Sequence, residues 1–163
     1  MSRAQAAMEF LLTYGWAILV VIIAIAALAY FRLPIFNIPE VCQSEAGLFC
    51  IEKPNIDATK DQISFAMRNT LGFAITLYNL TRFTPESGSC NAISSVKVEM
   101  DGTEYSINPG TVFIPKEKNF VVKVNCSDGV PNGKIKTYFK LHYISQDTSI
   151  KHSSLVYVTG IAS

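Results

Sequence analysis

Two hydrophobic rhythms divide the chain. From Phe10 to Phe31 there are 22 residues without a charge, and Thr13 and Gly15 are the exceptions to an apolar and aromatic run. The run is apolar all round, with no polar stripe. That predicts a helix for lipid or for the centre of a helical assembly, and excludes an interfacial amphipathic one. At 1.5 Å per residue such a helix is ~33 Å long, enough to cross a bilayer core. The helical pattern starts at about Gln5 and contains no proline. Pro34 and Pro39 in "RLPIFNIPE" stop it near Phe31 to Leu33, since proline lacks the amide proton and clashes with the preceding turn. The expectation is a four-residue leader (1–4), a helix over 5–33 and an extended connector over 34–39.

From residue 40 onward the rhythm changes to period two. "DQISFAMRN" puts Ile63, Phe65 and Met67 on one face, and Ser64 and Arg68 on the other. "FAITLYNL" reads as a second strand. "SSVKVEMDGTEYSI" reads as a hairpin with Asp101-Gly102 at a type I′ turn. "NFVVKVNC" aligns Phe120, Val122, Val124 and Cys126. "GKIKTYFKLHYI" turns Ile135, Thr137, Phe139, Leu141 and Tyr143 inward and Lys134, Lys136, Lys140 and His142 outward; a last strand lies in "SSLVYVTGI". Seven or eight short strands with Gly and Asn turns predict an antiparallel, Ig-like β-sandwich over 40–163. The class is therefore α+β: a long N-terminal hydrophobic helix followed by a β-sandwich head.

Charge narrows the partners. The head carries 12 Lys plus Arg and 12 Asp plus Glu. That balance argues against nucleic acid. His142 and His152 have no Cys or carboxylate at metal-ligand spacing. All four cysteines, Cys42, Cys50, Cys90 and Cys126, follow the apolar run, and none forms a C-x-x-C pair. Neither zinc nor a dithiol redox site is signalled. An even count after a membrane-length segment points to two disulfides in an oxidising space, with buried free thiols as the other reading. Three pairings are open. Cys42–Cys50 and Cys90–Cys126 are favoured, the first closing a short loop and the second lying wholly in the head.

The head shows no G-x-S-x-G, P-loop, H-E-x-x-H or Cys–His arrangement, so no catalytic site, cofactor or metal is expected. The row Lys134, Lys136, Lys140 and His142 reads first as the solvated face of a half-buried strand. Two sequons, Asn79-Leu80-Thr81 and Asn125-Cys126-Ser127, make Asn79 and Asn125 candidate glycan acceptors.

The N-terminal stretch "RAQAAMEF" carries the most specific signal. It sets Glu9 at the mouth of the apolar run, where a carboxylate needs a partner or a helix N-terminus to offset burial. The stretch resembles the class III signal peptide of archaeal type IV pilin-like proteins, and the resemblance continues through "LLTYGWAILVVIIAIAALAYF", covering about residues 3–31. It implies cleavage by a prepilin peptidase between Ala4 and Gln5, with Arg3 and Ala4 on the leader side. Gln5 becomes the mature N-terminus and the apolar helix is retained rather than discarded. It also implies that Glu9 is the family's helix glutamate. Before assembly the partner is the membrane and its assembly machinery, and afterwards a homo-oligomeric helical filament at the cell surface, serving adhesion.

Rival readings are a single-pass, membrane-anchored β-sandwich that binds a partner as a monomer, and a minor pilin or swimming-filament subunit. A tethered surface hydrolase has no motif behind it.

Overall fold

The computed structural model describes residues 2–32, 39–83, 90–107 and 109–162. The chain divides into two compact units, residues 1–37 and 38–163. The first is one helix, α1, Ser2–Arg32. It begins three residues earlier than the pattern predicts: the leader residues Ser2 to Ala4 are helical. No Gly or Pro precedes Gln5, and Arg, Ala and Gln are good helix formers, so nothing local stops the helix there. It ends at Arg32, two residues before Pro34. The predicted connector over 34–39 lies outside the described residues up to 38.

Within α1, Met8–Tyr30 forms a 23-residue span of mean hydropathy 2.5, long and apolar enough to cross a membrane. Its described large side chains are open to the surroundings on every side, from Met8 and Trp16 to Leu28 and Tyr30. Nothing in the helix itself covers them.

Among the described residues the second unit holds eleven strands in two antiparallel sheets: β1 Val41–Ser44, β2 Leu48–Cys50, β3 Asn55–Asp57, β4 Gln62–Asn69, β5 Ile75–Arg82, β6 Ile93–Met100, β7 Thr103–Ser106, β8 Val112–Ile114, β9 Asn119–Cys126, β10 Gly133–Ser145 and β11 Lys151–Ala162. The five-stranded sheet has the order β1-β11-β10-β5-β8. The six-stranded one runs β2-β4-β9-β6-β7, with β3 also on β4. The long strands are those with clear alternation in the sequence. The count exceeds the expected seven or eight because β1, β2, β3 and β8 are only three or four residues long, too short to show a period. Strands β2 and β3 share the free edge of β4 and are separated by a segment containing Pro54, which has no N–H for a ladder.

One core fills the unit. Phe65, Phe120 and Phe139 are its largest fully buried side chains. Phe65 of β4 and Phe139 of β10 stack across the two sheets with ring centroids 5.9 Å apart. Such an aromatic pair adds about 0.5–1.5 kcal/mol beyond its buried area. Alternation in β9 and β10 puts Phe120, Val122, Val124, Ile135, Phe139 and Leu141 into the same core.

Turn chemistry fits the strands. Asp101 (φ 51°) and Gly102 (φ 78°) make the β6–β7 hairpin with two left-handed residues, as a type I′ turn requires. Asn69, fully buried, closes the β4–β5 turn. Its Nδ2 donates to the carbonyls of Phe73 (2.9 Å) and Pro115 (3.1 Å), while its Oδ1 accepts from the Leu71 amide (3.1 Å).

Candidate functional site

The helix and the head contribute separate candidate features. In α1, Arg3, Ala4 and Gln5 sit in the first turns, and their side chains lie outside the described residues. Glu9 follows Gln5 by four residues, on the same helix face, and is exposed. It is the one charged residue within the span Met8–Tyr30. One face of the same stretch carries a shallow, open groove lined by Met8, Leu12, Gly15, Trp16 and Leu19. Gly15 opens it: a Cβ added there would meet nothing within 4 Å. Phe10 and Tyr14 pair one turn apart, with centroids 4.1 Å apart.

In the head, Cys42 is bonded to Cys50 and Cys90 to Cys126. The first pair joins β1 to β2, the edge strands of the two sheets on one side of the domain, across a Cα–Cα distance of 5.7 Å. The connecting turn passes through Gly47 (φ 105°), where any Cβ would run into Leu71. The second pair ties the entry of β6 to the end of its neighbour β9. Asp128 reinforces that join, accepting from the amides of Asn91 (2.6 Å) and Ala92 (3.3 Å). Burial works against its ionisation, yet those amides hold its carboxyl below the usual range. Two disulfides fit an oxidising compartment.

The two sequons differ. Asn125 lies mid-sheet with its side chain engaged on both sides: its Oδ1 accepts from Gln62 Nε2 (2.8 Å) and its Nδ2 donates to Ser95 Oγ (3.0 Å). A glycan on that nitrogen would leave it a single N–H for the Ser95 bond. Asn79 instead sits opposite His142 at the bulge in the β5–β10 pairing. Its sequon threonine, Thr81, is 2.9 Å from His142 Nε2.

The outer faces of the two sheets also differ. The six-stranded sheet is laced with ion pairs: Lys123 Nζ reaches Glu99 (2.6 Å) and Glu104 (2.7 Å), Lys97 reaches Glu104 (2.9 Å), and Arg68 reaches Glu117 (2.8 Å). Lys123 first, then Lys97, holds the Glu104 carboxyl down to about 2. Glu104 first, then Glu99, raises Lys123. The strands of the five-stranded sheet contain no Asp or Glu at all; Lys134, Lys136, Lys140, His142 and Lys151 lie on the outer side, while Arg82 and His152 share the parity of the buried Phe139 and Tyr143. On its outer side Tyr138 and Tyr157 sit directly opposite each other, ring centroids 4.6 Å apart. Tyr78 lies 6.0 Å from His142, with Lys151 Nζ 5.8 Å from its ring centroid. Burial, and then Lys140, lowers the His142 pKa. The sequence pattern marks the lysines of this face but not its tyrosines, because their pairing depends on the β10–β11 register. Among the described residues, no group of three or more His, Cys, Asp or Glu is placed to hold a metal ion.

No family model and no curated protein matches this chain. Among solved structures, the ASH / PapD-like domain of human CEP192 (PapD-like domain 7) aligns with 78% of this chain and 90% of its own. The TM-score is 0.37 at 10% identity. A likeness that distant carries no functional inference.

Proposed function

We propose that this chain is a structural subunit of an archaeal type IV pilin-like surface filament, cut between Ala4 and Gln5 and assembled through α1. The observation that carries the reading is Glu9. It is the single charge within a 23-residue apolar span, and it stands four residues after the position that would become the new N-terminus. Cleavage creates an α-amine at Gln5 that can meet the Glu9 carboxylate along one helix or between two. In a dry filament core an unpaired carboxylate is strongly unfavourable, whereas a paired one is tolerated. The cut then also switches the subunit into its assembly-competent charge state. The notch at Gly15 supplies a seat for a side chain of a neighbouring helix, and Ala24, Ala26, Ala27 and Ala29 allow close approach further along.

In this reading the head is the outer, adhesive part of the fibre, with no enzymatic activity and no cofactor. An Ig-like head is part of this reading, and the repeated crossing of successive strands between two antiparallel sheets supports it. Asn79 is the better glycan acceptor, because the amide of Asn125 is already engaged.

The test is the N-terminal residue of protein from the native source, together with a Glu9→Gln variant. Gln5 at the mature N-terminus, and a variant that inserts in the membrane but yields few or no filaments by electron microscopy, are expected. An intact leader in native protein, or normal filaments from Glu9→Gln, overturns the reading.

A further inference from the structure

The outer face of the five-stranded sheet carries Lys136, Lys140 and Lys151 on strands that hold no carboxylate. The six-stranded sheet, by contrast, pairs its lysines with Glu99 and Glu104. Glu45 and Asp147 lie at the rims of the five-stranded sheet, and the Glu45 carboxylate is occupied by the Leu155 amide at 2.9 Å. A solvated surface of one sign normally disperses its charges; here they border a flat aromatic patch. Tyr138 and Tyr157 are half-buried, tilted 32° to each other, and opposed across β10 and β11. Lys136 and Lys140 flank Tyr138 along β10, two residues to either side, about 13 Å apart end to end at the strand rise. The β1 residue in register with Tyr157 is Gln43, and in register with Lys140 is Thr81 of β5. The row therefore offers ring faces, cations and neutral hydrogen-bonding groups together.

We propose that this face binds an acidic polysaccharide, with sugar rings lying on the Tyr138–Tyr157 pair and their carboxylates meeting Lys136 and Lys140. Aromatic faces accept the apolar C–H side of a sugar ring while the phenolic O–H remains available to its hydroxyls. The lysines supply charge complementarity, which sets attraction and discriminates against neutral chains. An acidic peptide would use the lysines but has no need of the ring platform. An anionic membrane favours apolar side chains that protrude, and these tyrosines lie within the sheet surface instead. The inference names the ligand class for the adhesive role proposed above and rests on it for its purpose, but its chemistry is independent of α1.

The probe is immobilised alginate, a polyuronate, with neutral dextran as control. The full chain is used in detergent, carrying Asn79→Gln so that the neighbouring sequon stays unoccupied. Retention on alginate and not on dextran is expected, weakening as salt rises. Lys136→Glu with Lys140→Glu should weaken binding at least tenfold, and so should Tyr138→Ala with Tyr157→Ala; Lys97→Glu on the opposite sheet should leave it unchanged. Thermal unfolding confirms that each variant is folded, and Tyr138→Phe with Tyr157→Phe, which keeps the rings, should retain most of the binding. No retention overturns the proposal. So does retention that the tyrosine-to-alanine pair leaves intact, which would mark simple ion exchange, or a preference for phosphatidylglycerol vesicles or poly-aspartate over alginate. Filament formation plays no part in this measurement, so a failure here leaves the pilin reading standing, and absence of filaments leaves this one standing.

Discussion

In strand β9 the run Phe120, Val122, Val124 and Cys126 leaves 5% or less of each residue to solvent. In α1 the run Val20, Val21, Ile22 and Ile23 leaves 48–60% of each exposed. The residue types are nearly the same, yet the head hides them by alternation against a second sheet, and the helix displays them all round. The head therefore carries its own driving force for folding. The helix takes its stability from whatever surrounds it, lipid or neighbouring helices. Substitutions in the two regions should report on different processes, and that separation can be attacked directly.

The largest expected effect is in the core. Phe139 is fully buried against Phe65, and Phe139→Ala removes the ring and leaves a cavity between the sheets. Destabilisation of the head by about 3–5 kcal/mol is expected, read as a lower urea midpoint in near-ultraviolet circular dichroism. Ile22→Ala, a similar truncation at a position 60% exposed, should leave that midpoint where it was. A shift with Ile22→Ala would break the separation.

Next come the disulfides. Cys90–Cys126 spans 36 residues and Cys42–Cys50 spans 8. On loop-closure entropy, removing the longer bridge by paired Cys→Ser substitution should cost about 1 kcal/mol more than removing the shorter, within a typical range of about 2–4 kcal/mol each. The difference in denaturation midpoints measures it. The short bridge has a second task, since it pins the edge strands β1 and β2 of opposite sheets. If its loss proves the more damaging, edge closure outweighs loop entropy here.

What could be read from the sequence follows the same divide. Long runs with a clear period, β4, β6, β9, β10 and α1, announce themselves because burial on one face, or on none, fixes the residue choice at every position. The edge strands β1, β2, β3 and β8 do not, since three or four residues hold at most two inward positions. The start of α1 lies at Ser2 rather than Gln5, because residues 2–4 contain nothing that stops a helix. The lysine row of β10 was visible in the sequence. Its pairing with Tyr138 and Tyr157 was not, because a cross-strand neighbour depends on a register that local pattern leaves open. The contrast between a charge-balanced sheet and one without carboxylates likewise appears only once each strand is assigned to its sheet.

The smallest effect expected is the pH dependence of the head, and it compares the two sheet faces. On the six-stranded face, Lys123 and Lys97 hold Glu104 at about 2, below its ordinary 4.5. On the rim of β3, Lys60 first and then Thr59 lower Asp57. A carboxyl with a depressed folded-state pKa contributes stability that is complete above its unfolded value and is lost as pH falls through the folded one. That face should therefore hold its stability at pH 5 and lose it from about 4.5 down toward 2. The five-stranded face behaves differently. His142 is depressed by burial and by Lys140, so below its ordinary 6.5 the unfolded chain takes up the proton more readily than the folded one. Its stability is complete above about 6.5 and declines as pH falls from there to the lower folded value. Melting temperature should thus fall in two steps, a shallow one beginning near 6.5 and a steeper one below 4.5. His142→Gln should flatten the first while leaving the second, and Glu104→Gln should shrink the second while leaving the first. A single step that both variants alter equally would mean that the two faces titrate as one system.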